Sequence, residues 1–395
     1  MDFNSLLKSA VAAGASDIHL KVGRPPMIRY DGDVTALDGL PLTDDDLDAI
    51  LRVVTAEAPK RYDQFHESGD LDIAYASEGL PRFRVNVFRQ RGAISFALRI
   101  IPVTVPSFEE LGLPEGVQQL ADEHRGLILV TGATGSGKTT TLAAIIDYIN
   151  RTRKSHIVTV EDPIEIMHRD RLSIVNQREI GIDTENFGQA LRRALRQDPD
   201  TILIGELRDA ETAQTALQAA ESGHLVFSTL HTIDAAETIG RMIEYFPPGK
   251  QQQIRSIMAG VLRGVISQRL LPRRGGGRVA AIELMINNAR IADLIRENKP
   301  EEVEVAIADG EFAKMQTFQR ALITHVLAGT VDRDVAANAS TNRHDFMVAL
   351  EYAEKAQSAG IDHNASSSAS ALVSEPEPEP EPEPEFALRL APLGE

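Results

Sequence analysis

The chain has 395 residues, enough for two or three domains at about 150 residues each. Apolar residues make up 43% and charged residues 25%, which excludes a wholly disordered chain or a fibre, and the absence of cysteine removes disulfides, thiolate metal sites and cysteine nucleophiles. A formal charge of −17 argues against a protein whose main work is coating nucleic acid or an anionic bilayer.

Phe3 to Ala13 has helical periodicity that stops at Gly14, and Ser16 to Val22 alternates as a strand. Asp31-Gly32, between Met27 to Tyr30 and Asp33 to Leu37, is a two-residue hairpin signal. Thr43 reads as the N-cap of a helix with Asp44 to Asp46 in its first turn and Leu47, Ile50, Leu51 and Val54 on its apolar face. Strands at Leu71 to Ala76, Arg82 to Arg89 and Ala93 to Ile101 complete a small α+β domain over 1–105. Pro102, Pro106 and Pro114, with Gly112 and Gly116 close by, mark a linker at 106–116.

From Leu127 buried apolar strands alternate with amphipathic helices, the pattern of a parallel sheet covered on both faces. Strands are expected at Leu127 to Thr131, Ile157 to Val160, Thr201 to Ile204 and His224 to Thr229, and helices at Lys138 to Ile149, Phe187 to Arg196 and Ala210 to Glu221. This second domain is assigned to 117–272. After Pro247-Pro248 the chain reads mostly helical to about Ala359, with Gly275-Gly276-Gly277 as a loop, giving a helical region at 273–360. From Ile361 a Ser/Ala stretch and the Glu-Pro repeats of Glu375 to Glu385 predict a disordered tail, 361–395. It ends on the apolar Phe386-Ala387-Leu388-Arg389-Leu390, read as an inert end in preference to a docking peptide. No apolar run reaches the roughly 18 residues that suggest a membrane span, and Asp2 stands where a secretory leader carries positive charge. A cytoplasmic protein without direct membrane insertion is expected.

Gly132-Ala133-Thr134-Gly135-Ser136-Gly137-Lys138-Thr139, followed by Thr140, matches the phosphate-binding loop between a strand and a helix. Its glycines let backbone N–H groups curl around phosphates, Lys138 reaches the β- and γ-phosphates, and the Thr139 hydroxyl ligates Mg²⁺. ATP and Mg²⁺ are the expected ligands. In Thr201-Ile202-Leu203-Ile204-Gly205-Glu206, Gly205 replaces the Mg²⁺-binding Asp of many such enzymes, and Glu206 is the candidate for polarising the attacking water.

Glu161-Asp162-Pro163-Ile164-Glu165 puts carboxylates at the carboxyl end of a parallel strand, where ligands bind; Glu161 and Glu165 are assigned to the nucleotide site, with Glu161 or Asp162 helping the metal. His231, at the outgoing end of the fourth strand, is placed to sense the γ-phosphate; for His224, at its entry, structural and nucleotide-site roles are both open. Strand alternation turns Arg84 and Arg99 away from the more apolar sides. They are either part of a solvated face or arginine fingers reaching another subunit's γ-phosphate.

Together these motifs resemble the secretion ATPase superfamily of P-loop motors and, within it, the type IV pilus retraction ATPases of twitching motility, the PilT type. The resemblance rests on Ser16-Asp17-Ile18-His19-Leu20, the phosphate loop, Glu161 to Glu165, Gly205-Glu206-Leu207-Arg208-Asp209, Ser228-Thr229-Leu230-His231-Thr232 and Val265 to Pro272. It implies a homohexameric ring of PAS-like and RecA-like domains, with ATP between them and arginines donated across domain or subunit contacts. It also implies that Gly205 is normal, and that the ring docks peripherally at the inner face of the membrane on a pilus platform protein. Pilus-assembly relatives usually carry a longer N-terminal region and a four-cysteine zinc element; here the chain opens on the PAS-like domain and has no cysteine. The retraction motif Ala-Ile-Arg-Asn-Leu-Ile-Arg-Glu corresponds to Arg290-Ile291-Ala292-Asp293-Leu294-Ile295-Arg296-Glu297, which keeps the second half and departs at three positions in the first. The alternatives are an accessory retraction or assembly ATPase, a RecA-like nucleic-acid translocase, which the acidic composition disfavours, and a nucleotide-regulated interaction protein.

Overall fold

The computed structural model describes residues 2–30, 32–56, 58–101 and 104–358. The expected tail with its terminal apolar peptide, Asp31 of the hairpin turn and Pro102 of the linker lie outside the described residues.

Helix α1 (Phe3–Ala12) is capped by the Asp2 carboxylate, which accepts from the Ser5 N–H. It leads into β1 (Asp17–Lys21), β2 (Met27–Tyr30) and β3 (Asp33–Ala36). Helix α2 (Asp44–Val54) carries the expected Thr43 cap as a full capping box with Asp46, and buries Leu47, Ile50, Leu51 and Val54. Helix α3 (Pro59–Ser68) was not expected: only Phe65 is buried on it, so its apolar period is faint, and Pro59 at its start and left-handed Gly69 at its end are the legible signals. Then come β4 (Asp70–Tyr75), β5 (Phe83–Gln90) and β6 (Ala93–Ile100). The strands pair antiparallel in the order β3-β2-β1-β6-β5-β4. Ile18, Leu20, Phe83, Val85, Val87, Phe96 and Leu98 share a core with α1 and α2. Period-two alternation then puts Asp17, Arg99 and Arg84 in one cross-strand row on the other face.

The linker contains α4 (Phe108–Leu111), boxed by Ser107 and Glu110, and runs into α5 (Glu115–Ala121). The second sheet is built from β7 (Gly126–Thr131), β8 (His156–Glu161), β9 (Ile174–Glu179), β10 (Thr201–Ile204) and β11 (Leu225–Leu230), joined by β12 (Leu262–Pro272) and β13 (Arg278–Ile286). Among the described residues its order is β13-β12-β7-β11-β10-β8-β9, parallel except for the β12–β13 pair. Every residue of β7, β10 and β11 is buried, because α6 (Lys138–Thr152), α7 (Phe187–Ala194), α8 (Ala210–Glu221), α9 (Ala235–Glu244) and α10 (Pro248–Val261) cover the faces.

The mostly helical reading after Pro248 is corrected here. Residues 262–286 form a strand pair closed by the left-handed Gly275-Gly276-Gly277 loop. The boundary drawn at 272/273 falls in that turn, so β13 goes with the sheet. Both strands are largely buried on two faces, which erases the alternation that would have announced them. Beyond them α11 (Ala289–Glu297), α12 (Val303–Ala308), α13 (Phe318–Leu327), α14 (Arg333–Ala339) and α15 (Arg343–Ser358) form the helical region. Phe318, Leu322, Phe346 and Leu350 pack it against Leu271 and Ala281 of the sheet.

Polar side-chain contacts tie the first domain to the second, among them Arg82 Nη1 to Met167 Sδ at 3.7 Å. Arg82 makes a 2.6 Å ion pair with Glu179, which also accepts the Ile164 N–H at 3.3 Å, and Arg61 donates to the Gly181 carbonyl.

Candidate nucleotide site

The phosphate loop leaves the buried strand β7 and re-enters as α6, with Gly132, Gly135 and Gly137 at φ of 139°, 78° and 94°. At Gly132 the requirement for glycine is also steric, since a Cβ would lie 2.4 Å from the Gln268 carbonyl oxygen and 2.6 Å from Ser136 Oγ. Gln268, on β12, supports the loop from below and donates through Nε2 to Thr141 Oγ1 at 3.0 Å. Lys138 Nζ donates to the Gly132 and Ala133 carbonyls at 2.7 and 3.0 Å. Burial holds this ammonium below the usual lysine range, and the Glu165 carboxylate opposes the shift.

The carboxyl ends of β8, β10 and β11 face the loop across a cavity of about 600 Å³ lined by Lys138, Thr139, Thr140, Glu161, Glu165, Glu206 and His231. Glu161 is buried and accepts from Thr159 Oγ1 at 2.6 Å and from Gln177 Nε2 at 3.1 Å; burial pushes its carboxyl up, and these hydrogen bonds work against that. Glu206 and His231 meet, with His231 Nε2 3.2 Å from Glu206 Oε2. Burial lowers the His231 pKa, and the Lys138 and Arg208 cations lower it further, both disfavouring the imidazolium.

Of the site residues read from the sequence, Gly132, Ala133 and Ser136 belong to the loop without lining the cavity, and the others divide into three groups. Thr134, Gly135, Gly137, Lys138, Thr139, Thr140, Glu161, Glu165, Glu206 and His231 converge on the cavity, and Arg99 of the same chain lines it as well while bonded to Asp17 at 2.9 Å. Arg84 lines a separate small groove with Asp162, Glu179 and Arg61. His224 is placed apart: it precedes β11, at the end of the sheet opposite the loop, and its Nδ1 lies 3.0 Å from both the Ala219 carbonyl and Ser222 Oγ at the end of α8. A six-residue strand separates it from His231, about 20 Å, which removes His224 from the nucleotide site. Gln268, His168, Arg208 and Arg278 were missed. Two of them lie inside stretches that carry the family resemblance, Arg208 in 205–209 and Gln268 in 265–272, but neither stretch gives them a role.

The donor set fits a polyphosphate. Besides the loop's backbone and Lys138, Ser136 Oγ is buried among the loop residues without a hydrogen-bond partner. For a divalent metal, the described residues contain no group of three or more His, Asp or Glu able to hold the ion alone. The Thr139 hydroxyl with nearby carboxylates therefore suits a metal that arrives with a nucleotide and takes most of its ligands from phosphate and water.

A strand–loop–helix phosphate cradle on a largely parallel sheet, with acidic strand ends across the crevice and an α+β domain beside it, defines a P-loop nucleoside triphosphatase of the RecA-like class. The family described as Type II/IV secretion system protein matches residues 1–344, and the chain belongs to that family. It is similar to the type IV pilus retraction ATPase PilT of Pseudomonas aeruginosa, 46% identical over 336 residues, which are 85% of this chain and 97% of that protein. It also resembles the twitching motility protein of Neisseria gonorrhoeae, 42% identical over 318 residues, covering 80% of this chain and 84% of the relative. Among solved structures, the pilus retraction motor PilT with bound ADP superposes with a TM-score of 0.81 at 46% identity, over 87% of this chain and 98% of the other. The motif-level resemblance to retraction ATPases and the PAS-like/RecA-like fold are borne out.

Proposed function

We propose that this chain is an ATP-hydrolysing motor that powers type IV pilus retraction, working as a homohexamer docked on a membrane platform protein. The observation that carries the chemistry is the Glu206–His231 pair at 3.2 Å, on the ends of adjacent strands and across the cavity from Lys138. The relatives named for retraction and twitching support the process it drives.

ATP lies with its phosphates in the 132–139 loop, where backbone N–H groups and the α6 N-terminus receive them. Lys138 exchanges its two carbonyl partners for phosphate oxygens. The Thr139 hydroxyl would hold Mg²⁺ arriving with the nucleotide, and the ion would supply charge neutralisation at the phosphates. Glu206 takes a proton from the water that attacks the γ-phosphorus, as the bond from that phosphorus to the leaving ADP oxygen breaks. His231 donates from Nε2 to Glu206 and holds its carboxylate in place. Arg99 adds positive charge as the first domain closes, and Arg84 acts at a neighbouring crevice.

Glu206→Gln tests this reading. ATP or ADP affinity should stay within about twofold while turnover falls by at least about 10²-fold, the usual scale for a proton-accepting group. Turnover at the wild-type rate would remove Glu206 from that role.

A further inference from the structure

Glu206 has a second partner. Its Oε1 is ion-paired with Arg208 Nη2, while Oε2 meets His231, so both carboxylate oxygens are held by side chains. Arg208 Nη1 also lies 3.8 Å from Asp162 Oδ2, at the end of the neighbouring strand β8. The backbone leaves this arrangement little freedom. Between the two residues, Leu207 is buried, its N–H donates to the Thr229 carbonyl at 3.1 Å, and its own carbonyl accepts from Tyr245 Oη at 2.8 Å. Thr229 Oγ1 donates to the Gly205 carbonyl at 2.7 Å. The turn after β10 is thus stitched to β11 and α9, and Glu206 and Arg208 emerge together on either side of a fixed apolar anchor.

A carboxylate has about four lone-pair directions. Arg208 and His231 occupy one on each oxygen, which fixes the plane of the group and leaves the rest for a water in the cavity that Glu206 lines. A guanidinium does this better than an ammonium, because its planar fork sets direction as well as charge. We infer that Arg208 is a positioning residue for hydrolysis: it acts through Glu206, orienting that carboxylate and bridging it to Asp162, rather than by touching nucleotide. This rests on the reading of Glu206 as the proton acceptor.

The test compares full-length Arg208→Gln, Arg208→Lys, Glu206→Gln and the Glu206→Gln/Arg208→Gln double variant in kcat, KM for ATP and Kd for ADP. Arg208 is 61% exposed, so its replacement leaves the core untouched. For Arg208→Gln, kcat should fall by about 10- to 100-fold, the scale of a misdirected reacting group, with KM and Kd within about twofold of wild type. Arg208→Lys should fall between, and the double variant should be no slower than Glu206→Gln alone, because both changes remove one function. Wild-type kcat in Arg208→Gln, alongside an inactive Glu206→Gln, overturns the positioning role and leaves the base assignment standing. A rise in the ADP Kd that matches the loss of turnover also overturns it, since Arg208 would then be a phosphate ligand. An active Glu206→Gln removes the base itself, and the Arg208 role with it.

Discussion

Arg84 and Arg99 share a strand row, yet the structure separates their surroundings. Arg99 lines the nucleotide cavity, whereas Arg84 lies in the groove beside Asp162 and Glu179. Arg99→Ala should therefore cost more turnover than Arg84→Ala, about 10³-fold if it acts as an arginine finger, with nucleotide affinity changed less. Equal turnover in both variants and wild type would leave the pair as a solvated face. Mixing Arg99→Ala with Glu206→Gln separates donation within the chain from donation to a neighbour, since only the second restores some activity. At this scale the sequence was most readable where chemistry is local. Eight consecutive residues must hold phosphate, so the 132–139 loop announces itself. Gln268 and Arg208 lie in stretches that mark the family, but their roles come from strands brought alongside the site, which those stretches do not state. His224 is ambiguous in the sequence for a related reason: its position before a strand does not say that the other end of the strand carries the ligand.

Among the elements, β12 and β13 were the costliest omission, because they make the floor of the site and the anchor of the C-terminal helices. Thr131 Oγ1 donates to Ser267 Oγ at 3.0 Å, and Gln268 sits under the loop. Their apolar residues point to both faces, so no period distinguished strand from buried helix. Strand β9 was missed for another reason: as an edge strand it carries a mostly polar sequence, Ile174–Glu179. By contrast, α2 is legible down to its N-cap, since Thr43 precedes three acidic residues and an apolar period, while the Asp209 cap of α8 emerges only in the structure.

One carboxylate on β13 has a measurable consequence. Glu283 is buried and accepts the Ala235 N–H at 2.8 Å, at the start of α9. Burial pushes it up to about 7, with Asp234 and Glu304 adding to the rise and the Ala235 N–H and Arg269 opposing it. A carboxyl raised in the folded state favours folding most below its ordinary value of about 4.5. That contribution, about 3 kcal/mol, is lost as pH rises from there through about 7. Glu283→Gln should therefore be more stable than wild type at pH 8 and close to it at pH 5, as read by denaturant midpoints. A stability difference that does not change with pH would mean that Glu283 stays charged throughout.

For the whole molecule, polar side chains of the first domain reach the second beside the nucleotide crevice. The Arg82–Glu179 pair and the Arg61–Gly181 contact join the first domain to the β8–β9 region, whose acidic stretch borders the nucleotide crevice. Through Glu179, which also accepts the Ile164 N–H, the first domain is tied to the loop that bears Asp162. The division of the chain is legible in its patterning, through the Pro/Gly-rich stretch after Ile101 and the change from alternating strands to wholly apolar ones at Leu127. That patterning does not carry the number of copies, because an assembly interface is a surface property with no period of its own.

The central claim is an interface-assembled ATPase, and the most direct measurement is turnover against protein concentration, with molar mass in solution recorded alongside, for wild type and Glu206→Gln. The account predicts that turnover per chain rises as a six-chain species forms, and that the variant assembles and binds nucleotide without turning over. A fully active monomer would contradict it.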